Sequence, residues 1–261
     1  MLERPRPSSL SRMLACPASR RLAALMPPAP RSNWADEGSA AHRLGEWCLS
    51  RRKAPFEYYG REIEEGGAKF KVDADMVKAV THYVQRVMAH RAAAGPDAIK
   101  GVEATLWSRY LDNTGTVDSF IISTRRREVW VDDYKHGKGV YVGEANNEQL
   151  MSYAVSAVQI YGKGLRLEDF TYHLTVHQPR FSGAKPSRTW TVPGDHVRRW
   201  VDQYLVPGLK AAEDPDAAFK GGAHCRFCPA KNACTVYLTV ERPRFGAAPI
   251  QATPIPEGFT Y

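Results

Sequence analysis

GTVDSFIIS at 115–123 and REVWVDDYK at 127–135 decide the fold. Both runs are rich in β-branched and aromatic residues, and the polar stretch Thr124–Arg127 between them reads as a turn. They are therefore two neighbouring strands. Upstream, VEATLWSRYL at 102–111 reads as a third strand, set off by a turn at Asp112 and Asn113. Downstream, 144–161 has the period of a helix, 170–179 (FTYHLTVHQP) that of a strand, and 187–192 (SRTWTV) that of a short edge strand. A helix over 195–212 closes the series.

Before the strands come two helices. Residues 34–52 set Ala40, Leu44, Trp47 and Cys48 on one face. Residues 74–94 repeat Met76, Val80, Tyr83, Val84 and Val87, with Asp73 as the expected cap. Residues 8–26 read as a helical entry capped by Ser8 or Ser9 and broken by Pro17, and 27–33 (PPAPRSN) as a loop. The order α-α-β-β-β-α-β-β-α defines an α/β protein with a central mixed sheet flanked by helices. We expect a single domain over 1–242: a helical part at 8–95, a sheet core at 100–212 and a cysteine-bearing end at 221–237. Residues 243–261, rich in Pro, Ala and Gly, read as an extended or disordered tail.

Composition sets the bounds. The 261 residues are 43% hydrophobic and 25% charged, which excludes a rod, a collagen and a wholly disordered chain. No stretch approaches the roughly 18 apolar residues of a membrane span, and no repeat of 20 to 50 residues is visible. The 36 Lys and Arg against 28 Asp and Glu leave a charge of +8, suited to a polyanionic partner. Five cysteines are too few and odd in number for a secreted disulfide framework, so reduced thiols and a cytoplasmic location are expected. Arg12 interrupts the only apolar stretch near the N-terminus, which is too short for a signal h-region, so no signal segment is expected there.

The chemistry concentrates on the strand pair. Neighbouring strands lie about 5 Å apart, so Asp118 and Asp133 at matching heights can share a divalent ion. Asp133 and Lys135 project to one face, while Tyr134 points to the core and Asp132 to the opposite face. A solvated Asp-x-Lys is commonly a surface ion pair. Here the run Val129, Trp130, Val131 buries the strand, Asp118 precedes it, and Gln149 and Tyr153 share one face of the next helix. A metal-bound phosphate and a nearby ammonium suit phosphodiester hydrolysis. His42, with Glu46 one turn on, is a candidate nitrogen ligand. Glu103 is either a further ligand or a solvent-facing acid.

Cys225, Cys228 and Cys234 form a Cys-x2-Cys-x5-Cys run, a metal-binding spacing. Cys16, Cys48 or His224 is available as a fourth ligand. One Cys-x2-Cys knuckle, where zinc ribbons have two, favours an iron–sulfur cluster over Zn²⁺.

Taken together, these motifs resemble the RecB-like branch of the PD-(D/E)xK nucleases. Within it, the chain is similar to the iron–sulfur exonucleases typified by the AddB nuclease domain and the CRISPR adaptation nucleases, with their phage-encoded relatives. SSLSRMLACPASRRL (8–22) is similar to the family's Ser–Cys-Pro opening, and EGSAAHRLGE carries Gly38, His42 and Glu46 in a Gly-x3-His-x3-Glu pattern. GTVDSF supplies Asp118, VDDYKHG supplies Asp133 and Lys135, EQLMSYA supplies Gln149 and Tyr153, and CRFCPAKNAC supplies the cysteine triplet. The resemblance covers about 8–237 and implies the restriction-endonuclease-like PD-(D/E)xK core. It implies a Mg²⁺- or Mn²⁺-dependent DNA exonuclease with His42, Asp118 and Asp133 as ligands. It further implies a [4Fe–4S] cluster on Cys16, Cys225, Cys228 and Cys234 that joins the N- and C-terminal segments.

Cys48 lies outside that pattern and reads as a helix-core thiol. No Walker A motif is present, so a translocating helicase is expected as a separate protein. The resemblance also suggests phage or bacterial recombination, with a single-strand-annealing recombinase as partner. Arg20, Arg21, Arg51, Arg52, Lys53 and Arg125–Arg127 are candidates for the DNA path. The rival readings are a catalytically silent DNA-end-binding accessory that keeps the nuclease fold, and a zinc-clasped interaction module.

Overall fold

Helices α1 (Leu10–Ala15) and α2 (Ser19–Ala23) form where one helical entry is expected, and Pro17 accounts for the split. Ser9 stands at the N-cap of α1, yet its hydroxyl donates to Arg6 O at 2.8 Å instead of capping the helix. The computed structural model describes residues 4–28, 30 and 32–242. The tail expected at 243–261, and residues 29 and 31 of the expected loop, lie outside the described residues.

The described chain falls into two compact units. One takes 4–28, 110–113 and 198–242; the other takes 30, 32–109 and 114–197.

In the larger unit, α3 (Asn33–Arg51) is capped by Ser32 and ends on Arg52 in the left-handed region, φ 55°. Gly66 and Gly67, both at positive φ, turn β1 (Glu62–Glu65) into β2 (Ala68–Lys71), a tight hairpin that no expected element covered. Next, α4 (Ala74–Ala94) is capped by Asp73, which accepts from Met76 N at 2.8 Å. The sheet consists of β3 (Ile99–Ser108), β4 (Asn113–Ser123), β5 (Glu128–Tyr134), β6 (Thr171–His177) and β7 (Ser187–Pro193) in that order. β4 and β5 pair antiparallel, β5 and β6 parallel, and β6 and β7 antiparallel. The parallel pair is bridged by α5 (Glu148–Tyr161), which starts at the Asn147 cap, later than the expected residue 144.

The apolar face read from the sequence of α3 meets that of α4: Ala40, Leu44 and Cys48 pack with Met76, Val80, Tyr83 and Val87 around Tyr134. Cys48 is thus a core thiol, and burial pushes its pKa up to about 12. Tyr134 points into this core, as strand parity requires. Its neighbours Asp133 and Lys135 are thereby turned to the other face.

The expected helix at 195–212 is present in three pieces: α6 (Gly194–Trp200), a π-helical turn (Val201–Leu205) and α7 (Val206–Ala211). Pro207 accounts for the loosened turn, because it lacks an N–H and its ring crowds the carbonyl four residues back. In the smaller unit, Leu22, Cys228 and Ala230 form a core with Met26, Phe219 and Cys234 packed against it.

Candidate metal and phosphate site

The ladder between β4 and β5 places Ser119 opposite Asp132. One step further along that register sets Asp118 opposite Asp133, the pairing expected from sequence. Asp118 is fixed by its Oδ2, which accepts from Tyr134 N at 2.7 Å. Its Oδ1 lies 3.4 Å from His42 Nδ1, and Glu103 Oε1 lies 3.5 Å from the same nitrogen.

Among the described residues, His42, Glu103 and Asp118 are the one group of three His, Cys, Asp or Glu whose ligand atoms all lie within 4.8 Å of one another. Asp133, expected as the third ligand, stands beside this group and is engaged by Lys135, whose Nζ is 2.9 Å from its carboxylate. Glu103 takes the third place. It adopts φ 43° within β3, a left-handed backbone in the middle of a strand. Such a kink breaks simple strand alternation, which is why residue spacing left Glu103 unranked.

The electrostatics are tightly linked. Burial opposes a charge on His42, but Asp118 and then Glu103 raise its pKa to about 10. Burial also works against the ionised Asp118, yet His42 and Lys135 hold it below the usual carboxylate range. Asp133 shifts the other way: burial and the charge on Asp118 raise it against the pull of Lys135. Lys135, partly buried, is kept cationic by Asp133 and Asp118 in spite of that burial. Tyr153 is pushed up to about 12, first by burial and then by Asp118 and Asp133, so it belongs to the same field. Gln149 Nε2 donates to its hydroxyl at 3.5 Å. The site residues read from this part of the sequence therefore meet at one place, and Glu103, left open between ligand and solvent-facing acid, joins them.

Asp132 does lie on the opposite face. It is fully buried, and its Oδ1 meets His90 Nδ1 and His177 Nε2, each at 2.8 Å. His177 Nδ1 continues to Ser187 Oγ at 2.8 Å, and Ser187 to His82 Nε2 at 2.7 Å.

In the smaller unit, Cys16, Cys225, Cys228 and Cys234 line one small recess of about 20 Å³. Lys220 N–H donates to Cys16 Sγ at 3.3 Å, and His224 Nε2 lies 3.6 Å from Cys225 Sγ. Burial and the neighbouring cysteines push the Cys225 and Cys228 thiols up. No three of these sulfurs lie within 4.8 Å of one another.

Fold and site define a mixed α/β protein with a His–carboxylate group beside an Asp-x-Lys strand end. The chain belongs to the family DUF2800, described as a protein of unknown function, whose model matches residues 6–242. No helix among the described residues is long and apolar enough to cross a membrane.

Proposed function

We propose that the protein is a Mg²⁺- or Mn²⁺-dependent DNA exonuclease of the RecB-like PD-(D/E)xK kind, acting in the cytoplasm. The observation that carries this reading is the convergence of His42, Glu103 and Asp118 beside the Asp133–Lys135 pair. One imidazole and two carboxylates make a hard donor set suited to these ions. A bound divalent ion would polarise the scissile phosphate and acidify a coordinated water. Lys135 Nζ then supplies a cation next to the phosphoryl oxygens, pre-set by Asp133. Asp118, immobilised by the Tyr134 amide, fixes the ligand position, and Gln149 with Tyr153 walls the site. The charge of +8 supports a polyanionic substrate.

The four cysteines are assigned to a [4Fe–4S] cluster acting as a structural clasp. The support for it is the Cys-x2-Cys-x5-Cys spacing and the recess that these cysteines share with Cys16. Phage or bacterial recombination and repair is the proposed setting, with a single-strand-annealing recombinase or a separate helicase as partner.

The test is digestion of end-labelled linear and closed circular DNA, single- and double-stranded, with Mg²⁺, Mn²⁺ or EDTA. Metal-dependent shortening of linear DNA with circles spared is the expected result. Binding to ends without cleavage would favour the silent accessory, and no effect on any DNA would remove the nuclease assignment.

A further inference from the structure

A second polar recess, of about 500 Å³, opens in the larger unit. Its walls are α4, through Asp75, Lys78 and His82, the segment after β5, through Lys138, and the segment after β6, through Arg180. β5 and β6 run parallel, and Tyr134 pairs with His177 at their ends. The recess therefore lies off the C-terminal edge of the parallel pair, where α/β sheets characteristically bind ligands. Lys135 leaves the sheet at that same edge.

The recess carries one positive charge in excess once the Glu37 carboxylate on Arg180 is counted with Asp75. Asp75 is its only carboxylate, and one of its oxygens serves two cations, Lys138 Nζ and Arg180 Nη2, each at 3.0 Å. Lys78 is exposed and has no ion-pair partner among the described residues. Arg180 is nine-tenths buried and held in place: its Nη1 donates to Glu37 Oε1 at 2.8 Å. Glu37 sits on α3, the helix that carries His42, so Arg180 ties the recess to the metal-ligand helix. Lys138 is five residues from Asp133, which is at most about 17 Å of extended chain.

We propose that this recess holds a backbone phosphate of the DNA strand, away from the scissile phosphate, with Lys78 and Lys138 as its contacts and Arg180, held by Glu37 and Asp75, as its rigid wall. This rests on the nuclease reading for the identity of the strand, but it can fail separately. With Glu37 and Asp75 set against Arg180 and Lys138, the positive charge of Lys78 is left over, and a phosphate would balance it. The recess would then set the strand's path as it enters the His42–Asp118 site.

The experiment uses the full chain and a double variant, Lys78→Gln/Lys138→Gln, with Lys69→Gln/Arg166→Gln as a charge-matched control on exposed residues elsewhere. DNA affinity is measured in EDTA over a salt series, and cleavage is measured on an oligonucleotide and on bis-nitrophenyl phosphate, which has no second phosphate. For the recess variant, the salt slope should fall by about 0.9 for each lost contact, and KM for the oligonucleotide should rise about tenfold. Turnover of the small diester and the behaviour of the control should match wild type. A recess variant with the wild-type slope and KM overturns the inference while leaving the nuclease reading intact. A slope that falls in a protein that cleaves nothing keeps the recess and removes the nuclease. Equal losses in the control variant also overturn the inference, because they reduce it to bulk charge.

Discussion

His42 Nδ1 lies 3.4 Å from Asp118 Oδ1, close enough for the carboxylate to hold the imidazole as a cation. In the metal-free protein burial resists that charge, yet Asp118 raises the His42 pKa to about 10. The stability contributed by this pair is fully present below the unfolded histidine pKa of about 6.5 and is lost as pH rises through about 10. A divalent ion needs the neutral ring, so binding must expel a proton. Mn²⁺ affinity should therefore rise about tenfold per pH unit between about pH 6.5 and 8.5. Titration calorimetry in buffers of different ionisation heat should register one released proton. An affinity that stays flat across that range would remove His42 from the ligand set.

Asp118→Ala and Lys135→Ala should each lower metal-dependent cleavage by at least about 10²–10³-fold, the usual cost of removing a group that stabilises developing charge. The far-ultraviolet spectrum should be retained. Wild-type cleavage in either variant contradicts the assignment.

Glu103 carries a conformational cost for its position. A non-glycine residue in the left-handed region costs about 1–2 kcal/mol. Glu103→Gly relieves that cost and also removes the contact with His42, so the metal-free stability should stay within about 1 kcal/mol of wild type. Mn²⁺ affinity should nevertheless fall at least about tenfold. Unchanged affinity, measured by calorimetry, would mean that Glu103 is a bystander.

This residue also marks where the sequence stops being legible. Asp118, Asp133 and Lys135 could be found because period-two alternation and a register of adjoining strands set their faces. Gln149 and Tyr153 followed from the helix repeat, and Asp132 was turned away by the same parity that aims Asp133. Glu103 stays open in the sequence between further ligand and solvent-facing acid, since its positive φ breaks that parity and nothing local to the sequence announces the break. The hairpin at Gly66 and Gly67 is hard to read for another reason: its strands span four residues each and are mostly charged, so they carry little apolar alternation. The π turn before Pro207 needed knowledge of how the helix yields rather than ends.

Asp132 should be a stability residue and not a ligand. Burial alone would raise its pKa, but hydrogen bonds from His177 and His90 bring it down to about 2. A depressed folded-state value means the contribution is present above the unfolded pKa of about 3.9 and fades as pH falls toward 2. It amounts to about 2 kcal/mol. Asp132→Asn should cost about 3 kcal/mol in urea unfolding at neutral pH, because it removes a buried anion and leaves two imidazoles poorly partnered. It should also flatten the acid limb of the stability curve. A variant as stable as wild type, with the same acid limb, would show that the network is neutral.

The cysteine recess offers a spectroscopic test. Protein purified without oxygen should be brown, with a broad visible band and bound iron by elemental analysis. Cys16→Ser should lose the band along with Cys225→Ser, although the two residues lie at opposite ends of the chain. Only a shared cluster makes their losses equivalent, since a site built from the Cys225–Cys234 run alone would survive the change at Cys16. Losing the cluster should lower stability by at least about 3 kcal/mol, because metal binding free energy is folding free energy for the segments it ties. Colourless protein with stoichiometric zinc would replace the cluster by a Zn²⁺ site on the same residues. Protein with neither metal, as stable as its Cys16→Ser variant, would leave the four thiols as packing groups only.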